Sequence, residues 1–544
     1  MPFVGEIFAQ LKAAGSNPVL QEIRNGQITG VSGPELLELV QRARTFLASK
    51  GLTKGERCGL LAPNSIRWIA LDLAAMAEGL IVVPLYDRQT PHELVAMMKD
   101  STPALVCCAD AALRDGIRQS WSAAPPHFLF DEVFAGVHGM SLDRPQVRND
   151  DPVTIIYTSG TSGEAKGVVL TAANVSFMLG CTSARLDLLM GGRTSQDRIF
   201  HYLPFSFCAS WIAVLTFLLR GSLVTLNTDL TKIPNDMPAV APDYFLNVPQ
   251  LLERMRRAVD AQIAAKGGVA QAIYSRAKAA WFDKGREATS LWFWLANRLV
   301  FPQIRKKMVG ENLNALICGS APLPPETQSY FAMLGIPVLQ VYGLTETTGI
   351  CTMDDPRHPV PGRVGPAIPG IEMKLSENDE IVVRGPNVFP GYWNRPQQTA
   401  EVLRDGWFHT GDQGELDAGT WRIVGRIKNL IVLGSGHKLA PESMEEEIQH
   451  LLPNAQQVVI IGNGRGYLSA ILTGDVSRDQ VQAVLDRVNA QHPHYKQIRA
   501  FCVRKEPFSI ENGMLTANGK LKRDLISKRM SSEIEGMYQA VKTA

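Results

Sequence analysis

Charge of one sign is scarce in this 544-residue chain: 55 Lys and Arg against 53 Asp and Glu leave a formal net charge of +2. A balance so close to neutral argues against nucleic acid, or an acidic membrane, as a general partner. Long hydrophobic runs are missing too. The longest largely apolar one, Trp211–Leu219, has nine residues, far short of the roughly 20 that span a bilayer. No transmembrane segment is expected, and only peripheral membrane contact stays open. The eight cysteines are scattered, with Cys107-Cys108 the only close pair, and no spacing fits a zinc site. The thiols are therefore expected to be reduced and mostly buried. The N-terminal stretch carries Glu6 and no long apolar core, so a secretory signal is not expected and a cytoplasmic location is. Repeats, low-complexity tracts, a Walker A loop and an evident Ser-His-Asp set are also lacking.

What is present is an alternation of strand and helix patterns. Leu36, Leu37, Val40, Ala43 and Leu47 recur at helical spacing between Pro34 and Gly51, which predicts a helix. Residues 57–63, 80–86 and 103–108 read as buried strands, with helices over 66–79 and 91–100 between them. This β-α-β rhythm predicts a parallel sheet flanked by helices. It resumes with strands at 222–227, 243–247, 314–320 and 337–343. The region from Val248 to Met308 reads as mostly helical, with Trp281, Phe282, Trp292, Phe293 and Trp294 spaced through it. These aromatics fit either helix packing or a shell around an apolar substrate. Short strands at 371–375, 380–385 and 420–425 read as a β-rich subdomain. A small α+β unit follows, with helices at 441–452 and 478–491 and strands at 456–462, 467–474 and 499–505. The expected fold class is α/β. A large N-terminal domain of mixed or parallel sheets with helices, residues 1–425, precedes a small mobile α+β domain, residues 426–544.

The stretch around which the rest is organised is residues 154–171. An apolar strand, Thr154–Tyr157, gives way to a run of Thr, Ser and Gly with one cation, Lys166, and then to Val168, Val169 and Leu170. Such a loop suits a phosphate chain. Glycines let backbone N–H groups turn inward, hydroxyls donate, and lysine neutralises charge. Four further strings follow: Tyr342-Gly343-Leu344-Thr345-Glu346, Thr410-Gly411-Asp412, Gly425-Arg426 and Gly519-Lys520. Together and in this order they resemble the adenylate-forming (AMP-binding) enzymes. The helical region and the strings at 248–255, 318–326 and 384–396 are most similar to the long-chain fatty acyl-CoA synthetases.

That resemblance implies ATP-dependent activation of a carboxylic acid, with Mg2+ as cofactor and CoA as co-substrate. Thr158, Ser159, Gly160, Thr161, Ser162, Gly163, Lys166 and Gly167 match the family's phosphate loop. Tyr342 and Gly343 match its adenine platform. Thr345 matches the residue that contacts phosphate, and Thr158 and Glu346 are the implied magnesium ligands. Asp412 matches the acid that holds the ribose hydroxyls, and Arg426 its companion on the same sugar. Gly319, Ser320, Ala321 and Pro322 match the segment beside adenine. Gly319 and Gly343 are also implied to border the acyl pocket, with Phe207 and Trp211. Phe207 departs from the family's usual histidine and implies a more apolar throat. Trp211 aligns with an aromatic gate, or else simply packs in the core.

Lys520 matches the catalytic cation that meets the carboxylate and the α-phosphate, whereas Lys522 and Arg523 read as a solvated basic tail. Adenylation and thioester formation make opposite demands on one site, and the family answers by rotating its C-terminal domain. Lys428 matches the hinge position. Gly434, Gly436, His437 and Lys438 match the loop turned toward the thiol-bearing arm. The same residues admit other readings. One is a fatty acyl-AMP ligase that loads a carrier protein, another is a non-catalytic acyl or nucleotide sensor, and a third is luciferase-like oxidation.

Overall fold

A computed structural model describes residues 2–136, 146–159, 165–192, 196–283, 290–516 and 519–540. The chain forms two compact units. The larger takes in the described residues through Thr158, Lys166–Glu372 and Val383–Phe408. The second takes in Met373–Val382 and His409 onward, with Ser159 and Ala165.

Two sheets build the larger unit. In one, the order is 391–392, 165–171, 152–159, 81–85, 57–61, 105–108, 127–129. Its central strands Arg57–Leu61, Ile81–Leu85 and Leu105–Cys108 pair in parallel and are buried almost throughout. Burial on both faces is what their unbroken apolar runs require. The helices between them start where the sequence supplies caps. Ser32 and Glu35 form a capping box for Gly33–Ser49, and Thr90 and Glu93 for Pro91–Ser101, satisfying N–H groups that the first turn leaves open.

The second sheet runs 352–353, 338–342, 315–318, 244–247, 198–201, 223–227, 18–24, 27–32. It is parallel except at its two ends, where Val338–Tyr342 meets Thr352–Met353 and Pro18–Arg24 meets Gln27–Ser32 antiparallel. The fold class is therefore the α/β expected. Between its strands Tyr244–Asn247 and Ala315–Cys318 the described residues form four helices, Pro249–Lys266, Gly268–Asp283, Leu291–Leu299 and Phe301–Val309. Trp281 stacks on Phe293 at 5.2 Å, and Phe293 meets Phe301 edge-on at 5.8 Å. Those rings hold helix to helix. Phe282 and Trp294 instead face outward, 38% and 57% exposed.

In the second unit, Ala455–Ile461, Leu468–Gly474 and Ile498–Arg504 form a three-stranded sheet. Alternate residues serve opposite faces. Val458, Ile460, Ala470 and Leu472 join a core with the helices Pro441–Leu451 and Arg478–Asn489. Val459 and Ile471 join another, with Ile526, Met530 and Ile534, as a period of two dictates. The change-over at Phe408/His409 precedes the boundary read at 425/426. The reason is local: Thr410 donates to the Ile381 carbonyl, the Gly411 N–H donates to Glu380, and Asp412 lies opposite Arg426. Among the described residues no helix is long and apolar enough to cross a membrane. All eight cysteines are free thiols, six of them buried.

Candidate active site

Strands flank the predicted phosphate loop as expected, but both reach into it: Pro152–Ser159 takes in Thr158 and Ser159, and Ala165–Thr171 takes in Ala165, Lys166 and Gly167. Gly160, Thr161, Ser162 and Gly163 lie outside the described residues, as does the Ser159 side chain. Gly167 occupies a place that tolerates no side chain. A Cβ there would lie 2.7 Å from Ile155 and 3.3 Å from Trp393. The Trp393 N–H also donates to the Gly167 carbonyl at 2.7 Å. The segment after Pro390 is thereby fastened to the loop's exit strand, with Gly391 and Tyr392 paired to Val169 and Val168. Lys166 Nζ rests 5.0 Å above the Tyr392 ring.

Three parallel strands, Tyr244–Asn247, Ala315–Cys318 and Val338–Tyr342, end side by side. In open α/β sheets ligands bind outside such carboxyl ends. Gly319 and Ser320 follow one strand and Tyr342-Gly343 the next, so the structure brings these predicted residues together. Gly343 is sterically obligatory, because a Cβ would fall 2.1 Å from the Gly349 carbonyl oxygen. Ser320 adopts a left-handed φ of 73°, and Ala321 and Pro322 beyond it are exposed. Thr345–Thr347 form a 3-10 turn. The Thr348 hydroxyl donates to the Asn387 carbonyl at 2.7 Å, and the Phe389 N–H donates to the Glu346 carbonyl at 2.9 Å. The Tyr392 hydroxyl donates to Glu346 Oε1 at 2.9 Å. Lys166, Glu346 and the turn are thus connected through residues 387–393.

Phe207 immediately precedes the helix Cys208–Leu219, its carbonyl accepting from the Trp211 N–H, and its ring centroid lies 5.5 Å from that of Tyr86. One turn on, Trp211 is buried and its indole N–H donates to Asp72 Oδ2 at 2.8 Å. Asp72 is itself 1% exposed, and its Oδ1 has no hydrogen-bond partner among the described residues. Burial pushes its carboxyl up to about 7, against the bond from Trp211.

The remaining predicted residues belong to the second unit. Asp412 and Arg426 face each other across a hairpin, with Arg426 Nε 2.7 Å from Asp412 Oδ1. Arg426 also donates to the Thr410 carbonyl. A register shift lies beside them at Gln413/Gly414, a device common at sites because it re-aims side chains. Lys428 sits in the short turn Ile427–Asn429. Residues 433–437 close a small hairpin in which Gly436 has φ 84° and His437 stacks on Tyr495 at 4.0 Å. Lys520 is exposed, next to the Leu515/Leu521 bridge, and its N–H donates to the Thr516 hydroxyl.

Arg523 corrects the sequence reading. It is no solvated tail. Its guanidinium, 19% exposed, is bound twice by the buried Glu445 carboxylate, with Nη1 2.7 Å from Oε1. The Ile460 N–H donates to the same Oε1.

Residues 10–393 match the AMP-binding enzyme family, and residues 428–542 match the AMP-binding enzyme C-terminal domain. The chain belongs to the AMP-binding enzyme family. It is 27% identical to the long-chain-fatty-acid–CoA ligase FadD15 of Mycobacterium bovis, over 96% of this chain and 94% of that one. It is likewise 27% identical to the long chain acyl-CoA synthetase 3 of Arabidopsis thaliana, over 96% and 90%. The fold matches that of ATP-bound MatB from Rhodopseudomonas palustris with TM-score 0.74 at 24% identity, covering 96% of this chain and 98% of that one. The enzyme is thus adenylate-forming, of the acid–thiol ligase class and close to the acyl-CoA synthetases.

Mg2+ is implied for this family, and the donor chemistry can be tested. Among the described residues no group of three His, Cys, Asp or Glu is gathered to hold a metal. Mg2+ needs no such cage, because it binds through one or two carboxylates with phosphate oxygens and water. Glu346 fits as one such carboxylate, with the Tyr392 hydroxyl bonded to one of its two oxygens, Oε1. Sequence reasoning did not single out Tyr392 or Asp72, and it read Arg523 as solvated. Tyr392 had a signal, because it lies within the family-like string at 384–396.

Proposed function

We propose that this enzyme activates a hydrophobic carboxylic acid of medium or long chain with ATP, forming an acyl-adenylate and pyrophosphate, and that CoA then displaces AMP. The observation that carries the reading is the turn at Tyr342–Thr347, set at the carboxyl ends of parallel strands and tied through Tyr392 to Lys166. The resemblance to long-chain ligases supports the choice of acid.

In this reading the phosphate loop, with Thr158 and Lys166, cradles the triphosphate. Tyr342 faces the base, where Gly343 permits close approach. Thr345 meets phosphate, and Glu346, with Thr158, holds Mg2+, which when bound offsets phosphate charge. Asp412 accepts from both ribose hydroxyls, as a carboxylate can, and Arg426 steadies it. Lys520 meets the charge that builds as the carboxylate attacks the α-phosphorus. Phe207 and Trp211 shape the acyl throat. Lys428 is the hinge between a body of residues 1–425 and a lid of residues 426–544. Gly434, Gly436, His437 and Lys438 border the path of the thiol. No protein nucleophile is required.

Acid-dependent exchange of labelled pyrophosphate into ATP, run across fatty and aryl acids without CoA, tests the proposal. Exchange that peaks with one chain length supports it, and thioester formation on adding free CoA establishes the acceptor. Exchange without thioester would point to a carrier protein instead. Nucleotide binding without exchange on any acid would favour a sensor and overturn the reading.

A further inference from the structure

Tyr392 touches two charged groups of opposite sign. Its hydroxyl donates to Glu346 Oε1 at 2.9 Å, and its ring lies 5.0 Å beneath Lys166 Nζ. The ring itself is well fixed. Phe389 packs against it edge-on at 4.9 Å, the Tyr392 N–H donates to the Thr399 hydroxyl at 2.9 Å, and its backbone pairs with Val168. A phenol suits both neighbours at once. Its O–H satisfies one carboxylate oxygen, and its electron-rich face holds an ammonium.

We propose that Tyr392 is a positioning residue that keeps Lys166 and Glu346 from neutralising each other before Mg·ATP arrives. A lysine and a glutamate presented to one ligand attract each other, and a direct ion pair would occupy both groups. Tyr392 gives each an alternative partner that is easily surrendered. The cation–π contact is a weak one, and the phenol's bond is to one of the two carboxylate oxygens, Oε1. The hydroxyl also fixes the carboxylate's rotation, so the oxygen offered to the metal is already aimed. Partners of this kind behind a metal ligand typically govern affinity by about 10–100-fold. This inference rests on the roles proposed above for Lys166 and Glu346.

The ring and the hydroxyl can be separated. Tyr392→Phe keeps the ring beneath Lys166 and removes only the bond to Glu346. Tyr392→Leu removes both. The full-length enzyme is titrated with ATP by calorimetry, with Mg2+ and with EDTA, and pyrophosphate exchange is followed against Mg2+ concentration. Tyr392→Phe is expected to need about tenfold more Mg2+ for half-maximal exchange while binding metal-free ATP as the wild type does. Tyr392→Leu is expected to weaken metal-free ATP binding as well, because Lys166 is then drawn to Glu346. Combining Tyr392→Leu with Glu346→Gln is expected to restore that binding. An unchanged Mg2+ requirement in Tyr392→Phe, or equal loss with and without Mg2+, overturns the proposal. Wild-type enzyme that shows no acid-dependent exchange would instead overturn the functional reading itself, and the two failures are distinct.

Discussion

Replacing Arg523 with Met isolates the contact that holds the segment after Lys520. The wild-type guanidinium is bound twice by Glu445, which is itself 6% exposed and also accepts from the Ile460 N–H. Removing one partner of a buried ion pair costs about 3–5 kcal/mol. Glu445 has an escape, because it can take a proton. At pH 7 an ordinary glutamate pays about 1.4 kcal/mol for each unit between 7 and its usual value near 4.3, roughly 3.7 kcal/mol in all. Burial already pushes this carboxyl above its ordinary range, so the cost falls below that ceiling. The deficit should shrink as pH falls toward 5, where protonation is cheaper. Denaturant midpoints at pH 5, 6.5 and 8, with hydrogen exchange at the Ile460 amide, measure it. Pairing Arg523→Met with Glu445→Met should recover much of the loss, since an apolar pair leaves no buried charge. A deficit below about 0.5 kcal/mol, or one that is the same at pH 5 and pH 8, would refute the reasoning.

The remaining expectations are briefer. Asp72, with its carboxyl raised from 3.8 to about 7 by burial, binds its proton more tightly when folded. Its contribution is therefore fully present below pH 3.8 and is lost as pH rises through 7. Asp72→Asn should gain on wild type between pH 5 and 8, by up to about 4 kcal/mol, and parallel stability curves would contradict this. Lys520→Ala should remove most adenylation while sparing conversion of preformed acyl-AMP to thioester, and equal loss of both would count against its assigned role. Lys428→Pro should slow thioester formation more than adenylation, as single-turnover measurement of each half-reaction would show.

Much of the architecture was legible because burial on both faces writes a strong local pattern. Strands at Arg57–Leu61, Ile81–Leu85 and Leu105–Cys108 lie within two residues of where their apolar runs placed them. The hairpin Pro18–Ser32 left no such mark, since Gln27–Ser32 is exposed along most of its length. Ala172–Met190 was silent for a different reason: its small and hydroxyl residues blur any helical face. In the site, short strings that carry several ligand contacts in a row were readable as strings. Tyr392, Arg523 and Asp72 were not, because each acts through a partner distant in sequence: Glu346 lies 46 residues away, Glu445 lies 78 and Trp211 lies 139. Tertiary pairing of this kind has no local period to betray it.

The helix Pro441–Leu451 makes two attachments that have a mechanical meaning. Near its start Glu442 accepts from Asn429, at the end of the turn that holds Lys428, and one residue past its first turn Glu445 grips Arg523, three residues beyond Lys520. The helix is a stiff crossbar with one fastening at each load. With Lys428 as the proposed hinge, a twist at residues 427–429 would reach Lys520 through this helix rather than only through the long intervening chain, and the two would travel in step rather than in sequence. Cutting either fastening would leave both ends intact yet let them slip out of phase.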